Sequence, residues 1–241
     1  MLALIRIPVV LVAFLILNVL VLIVCLARPF HRDNVYLAGQ LYSQIAKLLG
    51  LKITIRRPPG LDTDKSYVVV ANHQNSYDII TICKAAFPGV VTIGKKSLKW
   101  IPIFGQMYWL SGNIMIDRKN TAKALDTLQL TAKKITENNL SVWFFPEGTR
   151  SYGRGILPFK VGAFRLAIAT ETPVIMVTAS NLHDKIKWNR WNNGELIIDM
   201  SAPQQLDSSR SAKGWMAFYH SEMEKKFAAL NDEVAESDKS R

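Results

Sequence analysis

His73 and Asp78 lie in the segment Asn72–Asp78, directly after an apolar run that predicts a buried strand. An imidazole that is oriented by a carboxylate can take a proton from a hydroxyl group. A step of five residues separates two side chains by about 140° on a helix and places them on opposite faces of a strand, so a turn must bring them together. Asn75 or Ser76 can provide it by capping a short helix that carries Asp78 in its first turn.

The same residues also fit a polar loop between a strand and a helix, with a capping serine and a histidine that has no chemical role. The four histidines and two cysteines lack the short spacing of a zinc site, so no metal is predicted. A serine hydrolase is disfavoured because the chain has no G-x-S-x-G sequence. Acyl transfer from a thioester needs only a base for the attacking hydroxyl and donors for the oxyanion.

A second polar segment, Phe145–Ser151, follows another apolar run. Gly148 permits a positive φ, and Arg150 offers paired N–H donors that suit a phosphate group. Glu147 can orient Arg150 or a substrate hydroxyl. The alternative is a turn with a surface ion pair. A base together with a phosphate site predicts acylation of a phosphorylated alcohol.

The elements that must position these residues are apolar strands that alternate with helical patterns. The predicted strands are Leu51–Arg57, with the alternation of an edge strand, and Tyr67–Ala71, Val90–Gly94, Ser141–Phe145, Val174–Ala179 and Glu195–Met200. The predicted helices are Thr121–Asn138, Gly162–Thr170 and Ala212–Leu230. This order predicts an α/β domain. The charged end, Glu233–Arg241, is predicted to be solvated or frayed.

The amino-terminal part of the chain predicts a membrane anchor. Ile7–Ala27 is uncharged and has the length of a bilayer-spanning helix, although a buried core helix is the alternative. Val35–Leu49 has a helical apolar stripe. We therefore predict a membrane-anchoring two-helix segment over residues 1–50 and a catalytic domain over residues 51–241. The hairpin can span the bilayer or lie in one leaflet.

The charge of the chain limits its partners. With 30 basic and 19 acidic residues, the net charge is +11, which suits an anionic membrane, a phosphorylated substrate or an acidic protein. Nucleic acid is disfavoured because no recognition helix, zinc finger or aromatic RNA-binding pattern is present. Cys25 lies within the anchor and Cys83 in the main domain, which indicates a reducing compartment. A slight excess of cations after the anchor favours a cytoplasmic catalytic domain.

Four segments, in order, resemble the sequence blocks of the glycerolipid acyltransferase superfamily, in particular its bacterial 1-acylglycerol-3-phosphate acyltransferases. They are Asn72–Asp78 with its His-x4-Asp pattern, Gly112–Arg118, Phe145–Ser151 and Thr172–Val177. The similarity also includes Lys95–Gly105 and Leu157–Phe164. Val177 stands where many members have a second proline, so the fourth block matches least well.

This resemblance implies a mixed sheet covered by helices and an active site. His73 would be the general base and Asp78 its orienting partner. The implied substrate-binding residues are Lys95, Arg118, Glu147, Gly148, Thr149 and Arg150. The implied reaction transfers a fatty acyl group from acyl-CoA or acyl-acyl carrier protein to the sn-2 hydroxyl of lysophosphatidic acid. It produces phosphatidic acid without a cofactor, at the cytoplasmic side of a bacterial inner membrane.

Other functions stay open at this point. The acceptor can be another lysophospholipid or glycerol 3-phosphate, and a non-catalytic basic membrane-binding protein would use Arg150 and Lys95 only to hold anionic lipid. Trp100–Leu110 is rich in aromatic residues and follows the cationic segment Gly94–Trp100. It is either plain core or a border of the acyl-chain groove or membrane interface. In a groove, Met107→Trp would alter chain-length preference.

Overall fold

The computed structural model describes residues 1–116, 131–133, 135 and 137–239. Within these residues, seven strands form one sheet in the order β1-β7-β6-β2-β5-β3-β4. The strands β1 to β7 are Lys52–Arg56, Val68–Ala71, Val90–Lys95, Ile114–Ile116, Ser141–Phe144, Val174–Ala179 and Glu195–Met200. The α-helices α1 to α6 are Leu2–Ala27, Asn34–Tyr42, Gln44–Leu48, Phe104–Leu110, Gly162–Ala169 and Ala212–Lys239.

The sheet is mixed, as the family resemblance implies. Strands β4, β3, β5, β2 and β6 are parallel to one another, and β7 is antiparallel to β6 and parallel to β1. The four residues of β2 are all buried, as expected for a central parallel strand covered on both faces. The predicted edge strand is confirmed, because β1 lies at one edge of the sheet and has partly exposed residues.

Helices cover both faces of the sheet. On one face, Val69 and Trp143 pack with Val21 and Cys25 of α1 and Tyr42 of α2. On the other face, a second core packs side chains of α5 and α6 against the sheet; its members include Val68, Val70, Phe164, Tyr219 and Met223. The amino-terminal helices therefore share a core with the main domain, and the boundary at residue 50 stays a prediction.

Glu233–Arg241 was predicted to be solvated or frayed. Fraying is wrong over Glu233–Lys239, because α6 continues to Lys239, although most of these side chains are exposed as in a solvated segment. Leu230 and Val234 are buried against Ile197 of β7, and Glu233 forms an ion pair with Arg56. The charged composition suggested a solvated tail, whereas apolar residues one turn apart keep this part of the helix on the sheet.

The structure also differs from the predicted helices and strands in smaller respects. The predicted helix over Val35–Leu49 is interrupted at Ser43, whose hydroxyl donates to the carbonyl of Gln40. The sequence patterns did not predict β4 or α4. Most of the predicted helix Thr121–Asn138 lies outside the described residues.

Candidate active site

The polar segments meet because their strands are parallel neighbours. Val70 of β2 is in register with Phe144 of β5, so the segments that follow these two strands leave the sheet at the same edge. Strand β3 lies on the other side of β5 and ends at Lys95. The carboxyl ends of strands in such sheets commonly carry ligand sites. This topology brings His73, Lys95 and Arg150 to one pocket.

The turn that joins His73 to Asp78 is a short 3-10 helix over Ser76–Ile80. Asn75 caps this helix by accepting a hydrogen bond from the N–H of Tyr77, as the sequence predicted. Asp78 is buried, and its Oδ2 lies 2.6 Å from Nδ1 of His73. This contact holds the imidazole through Nδ1 and leaves Nε2 as the nitrogen that can take a proton.

The Asp78 carboxylate also fixes the loop that carries the histidine. Its Oδ2 accepts hydrogen bonds from the N–H groups of Gln74 at 2.8 Å and Asn75 at 3.3 Å. The imidazole of His73 stacks on Phe145, with 4.1 Å between the ring centroids. One carboxylate therefore orients both the ring and the backbone around it.

The structure places Glu147 differently from the expectation that it orients Arg150 or contacts a substrate. Its buried carboxylate accepts hydrogen bonds from the N–H of His73 at 2.6 Å and the N–H of Leu157 at 2.9 Å, and it is not part of the pocket wall. Burial raises the pKa of Glu147, and the two N–H donors oppose this shift. Glu147 thus holds the backbone beneath the histidine, because its buried carboxylate accepts hydrogen bonds from both N–H groups.

Two amide side chains that flank His73 attach its loop to the end of β6. Asn72 donates to the carbonyl of Ala179 and accepts from its N–H, both at 2.9 Å. Gln74 donates to the carbonyl of Ser180 at 2.8 Å and accepts from the N–H of Leu182 at 2.7 Å. Neither amide was predicted to have a role from the sequence. The sequence feature that could have indicated their role is their position on each side of the histidine after a buried strand.

Arg150 and Lys95 form the cationic mouth of the pocket, and both are exposed. The Arg150 guanidinium donates to the hydroxyl of Ser76 at 3.1 Å and to that of Tyr152 at 3.4 Å. Neither cation forms an ion pair with a carboxylate of the residues that the structure describes. Their charge is therefore available to an anionic ligand.

The other predicted substrate-binding residues are Gly148, Thr149 and Arg118. Gly148 and Thr149 contribute to the pocket wall next to Arg150. Gly148 has a φ of +71°, and a Cβ there would lie 2.8 Å from Nζ of Lys160, so a larger residue would not fit without rearrangement. Arg118 lies outside the described residues. Among those described, no group of histidine, cysteine, aspartate or glutamate side chains is suited to a metal ion.

Behind this mouth, the pocket extends as a largely apolar cavity of about 520 Å³. Helix α2 contributes to its wall, and α2 lies so close to Cys83 that a Cβ on Gly39 would meet the Cys83 carbonyl oxygen at 2.4 Å. The aromatic-rich segment Trp100–Leu110 contributes both to the pocket wall and to the exposed surface. Met107 is buried and lines the pocket, whereas Trp100 and Trp109 are exposed.

These features define a class: a mixed α/β protein with a histidine–aspartate pair and a cationic mouth at the entrance of a largely apolar pocket. The family model of acyltransferases matches residues 52–180, which is more than half of the chain. The chain therefore belongs to the acyltransferase family.

Its similarity to particular members extends beyond the matched domain. A 1-acyl-sn-glycerol-3-phosphate acyltransferase of Haemophilus influenzae is 41% identical over 98% of this chain and 99% of its own length. The enzyme of that name from Escherichia coli is 44% identical over 89% of this chain and 88% of its own. A crystal structure of a 1-acyl-sn-glycerophosphate acyltransferase from Thermotoga maritima has the same fold, with a TM-score of 0.74 at 20% identity over 95% of this chain and 99% of its own.

Proposed function

We propose that this protein transfers a fatty acyl group from a thioester donor to the sn-2 hydroxyl of 1-acylglycerol-3-phosphate, giving phosphatidic acid. The observation that carries the proposal is the contact of 2.6 Å between His73 Nδ1 and Asp78 Oδ2 at the entrance of an apolar pocket. The relatives from Haemophilus influenzae and Escherichia coli are named for the same acceptor, which supports the proposal.

The reaction begins when Nε2 of His73 takes the proton of the sn-2 hydroxyl while its oxygen attacks the thioester carbonyl. The Asp78 carboxylate stabilises the imidazolium that forms. Collapse of the tetrahedral intermediate breaks the carbon–sulfur bond, and the leaving thiolate takes the proton from the imidazolium. His73 is thereby restored, and neither a metal nor a redox cofactor is required.

Arg150 and Lys95 would bind the phosphate of the acceptor at the pocket mouth, because a guanidinium and an ammonium group both suit a phosphate. The apolar pocket would receive a fatty acyl chain, since its burial removes apolar surface from water. The thiol carrier of the donor is coenzyme A or acyl carrier protein. The net charge of +11 would attract either of these anionic donors.

The site would operate at a membrane surface. Leu2–Ala27 is long and apolar enough to cross a bilayer. However, the helix is attached to the domain near both ends. The N–H of Ala3 donates to Asn189 at 2.9 Å; just after the helix, the N–H of Phe30 donates to the carbonyl of Leu110, and its ring contacts Trp109 edge-to-face. We therefore favour a helix that lies in one leaflet, with its exposed apolar face in lipid, at the cytoplasmic side of a bacterial inner membrane.

Acyl transfer by membranes that contain the wild type or His73→Ala tests the proposal. With lysophosphatidate and a labelled acyl-CoA or acyl-acyl carrier protein, we expect the wild type to form phosphatidate and His73→Ala to lose at least about 10²-fold in rate. His183→Ala is the matched control, because His183 lies on an exposed loop beside Asp184. Equal activity of wild type and His73→Ala would exclude the mechanism.

A panel of acceptors separates the remaining alternatives. Transfer only to glycerol 3-phosphate or to a lysophospholipid with a larger head group would show that the enzyme uses that acceptor instead of lysophosphatidate. Transfer to no acceptor, combined with retained binding of anionic lipid, would support the non-catalytic alternative.

A further inference from the structure

A second cleft, of about 440 Å³, lies away from the active site between α3, the start of β1 and the loop that precedes β7. Three ammonium groups line it, those of Lys47, Lys52 and Lys84. Lys52 forms an ion pair with Glu195 at 2.9 Å, and Lys84 donates to the carbonyl of Ile53 at 3.2 Å. Lys47 is exposed and forms no ion pair with any residue that the structure describes. The cleft therefore carries a net positive charge.

Trp191 forms part of the cleft wall and is 79% exposed, although its loop is firmly held. The side chain of Asn193 accepts from the N–H of Lys187 at 2.8 Å and donates to the carbonyl of Leu49 at 2.7 Å. The loop also passes so close to Gly50 that a Cβ there would lie 1.8 Å from the Trp191 carbonyl oxygen. An indole that is held outward by ordered backbone is typical of side chains at a membrane–water interface.

The loop is also attached to the amino-terminal end of the apolar helix α1. The buried Arg6 of this helix donates to the carbonyl of Trp188 at 3.1 Å and to the carbonyl of Arg190. Its guanidinium carbon lies 5.8 Å from the ring centroid of Trp191. An apolar helix face, an exposed indole and a cationic cleft are therefore adjacent and fixed relative to one another.

We propose that this cleft binds the phosphate of an anionic phospholipid headgroup in the bilayer on which the protein acts. The proposal rests on the membrane location given under the proposed function. A soluble anion would account for the lysines, whereas a lipid also accounts for the exposed indole and for the attachment to α1. The contact would hold the amino-terminal end of α1 in the headgroup layer, while the exposed Trp100 and Trp109 contact the interface near the other end.

Lipid titration of the full-length protein in non-ionic detergent micelles tests this site. The signal of Trp191 is obtained as the difference in fluorescence between the wild type and Trp191→Phe. With dioctanoyl phosphatidylglycerol, we expect a saturable change that dioctanoyl phosphatidylcholine does not produce. Because one lysine near an anionic surface changes binding about fivefold, Lys47→Gln should weaken it by about that factor. Lys47→Glu should weaken it further, and Lys47→Arg should retain it.

Lys213→Gln is the matched control, because it removes the same charge from an exposed position on α6. An equal response to phosphatidylcholine, or an unchanged affinity in Lys47→Gln, would overturn the proposal. Saturation by inorganic phosphate alone would identify an anion site without lipid and would overturn it as well. Acyl transfer in the same micelles reports on the proposed function separately. If only the cleft proposal fails, transfer persists; if the proposed function fails, lipid binding can still be measured without any transfer.

Discussion

Two parts of the same pocket are built differently. The loop over 72–78 is fixed by buried hydrogen bonds: Asp78 holds the imidazole, Glu147 holds the backbone of His73, and two amides attach the loop to β6. Lys95 and Arg150 at the mouth are exposed, and the Arg150 guanidinium donates to the hydroxyl groups of Ser76 and Tyr152.

The difference corresponds to two tasks. Proton transfer depends on a donor and an acceptor held at one distance and angle, so a rigid base loses little entropy in reaching the transition state. Recognition of a charged headgroup tolerates movement, because a cation keeps its attraction over a range of positions. A solvated arginine without a carboxylate partner also keeps its charge for the substrate. Mutations in the two regions should therefore affect different kinetic constants.

The largest effect is expected for Asp78→Asn, which keeps the shape of the side chain but removes its charge. The amide cannot stabilise the imidazolium, and it favours the wrong tautomer of His73. We expect kcat to fall by about 10³-fold or more with little change in KM. Asp184→Asn is the control, since Asp184 lies 3.4 Å from His183 on the surface. A loss confined to KM would contradict the division between a fixed base and a binding mouth.

Arg150→Lys should have an intermediate effect, and mainly on binding. Lysine keeps the charge but cannot form the paired N–H contacts of a guanidinium. We expect kcat/KM for lysophosphatidate to fall about tenfold, which corresponds to the loss of one charge-assisted hydrogen bond, with kcat retained. Arg165→Lys on the exposed side of α5 serves as the control. If Arg150 binds the phosphate, kcat/KM of Arg150→Lys should fall less with monoacylglycerol, which has no phosphate. An equal fall with both acceptors would show that Arg150 acts on the chemical step.

The sequence predicted the parts of this site whose causes are local. The cap at Asn75 and the turn to Asp78 follow from neighbouring residues. The meeting of the polar segments was not predicted, because it depends on the parallel pairing of β2 with β5. The role of Glu147 depended on the N–H groups of His73 and Leu157, which come close only in the folded sheet. Because Glu147 lies three residues before Arg150 in the sequence, its carboxylate suggested an ion pair instead.

The same limit applies to the ends of the chain. Apolar composition predicted a helix over Ile7–Ala27, whereas α1 begins at Leu2. It did not predict the attachment of α1 to the loop over 187–193. The charged composition of Glu233–Arg241 did not indicate that Val234 is buried against β7. Strand β4 has three residues, too few for a pattern to be recognised.

Glu147→Gln is expected to change stability rather than chemistry, and it tests how the fixed region is held. Because burial raises its pKa above the ordinary value of 4.5, the folded protein binds this proton more tightly than the unfolded chain does. The contribution of Glu147 to the free energy of unfolding therefore falls as the pH rises from 4.5 through the raised pKa. Glu147→Gln cannot titrate, so this part of the pH dependence should disappear in the variant.

Denaturant unfolding in detergent at several pH values measures this difference, with Glu222→Gln at a partly exposed position on α6 as the control. Glutamine keeps one acceptor for the N–H of His73 but turns an NH₂ group towards the N–H of Leu157, which should cost about 1–3 kcal/mol at low pH. The difference in the free energy of unfolding between the wild type and Glu147→Gln should shrink as the pH rises, because only the wild type develops a buried charge. A constant offset at every pH would show that the Glu147 carboxylate titrates alike in the folded and unfolded chain. Its burial would then contribute nothing to the pH dependence of the loop that holds His73.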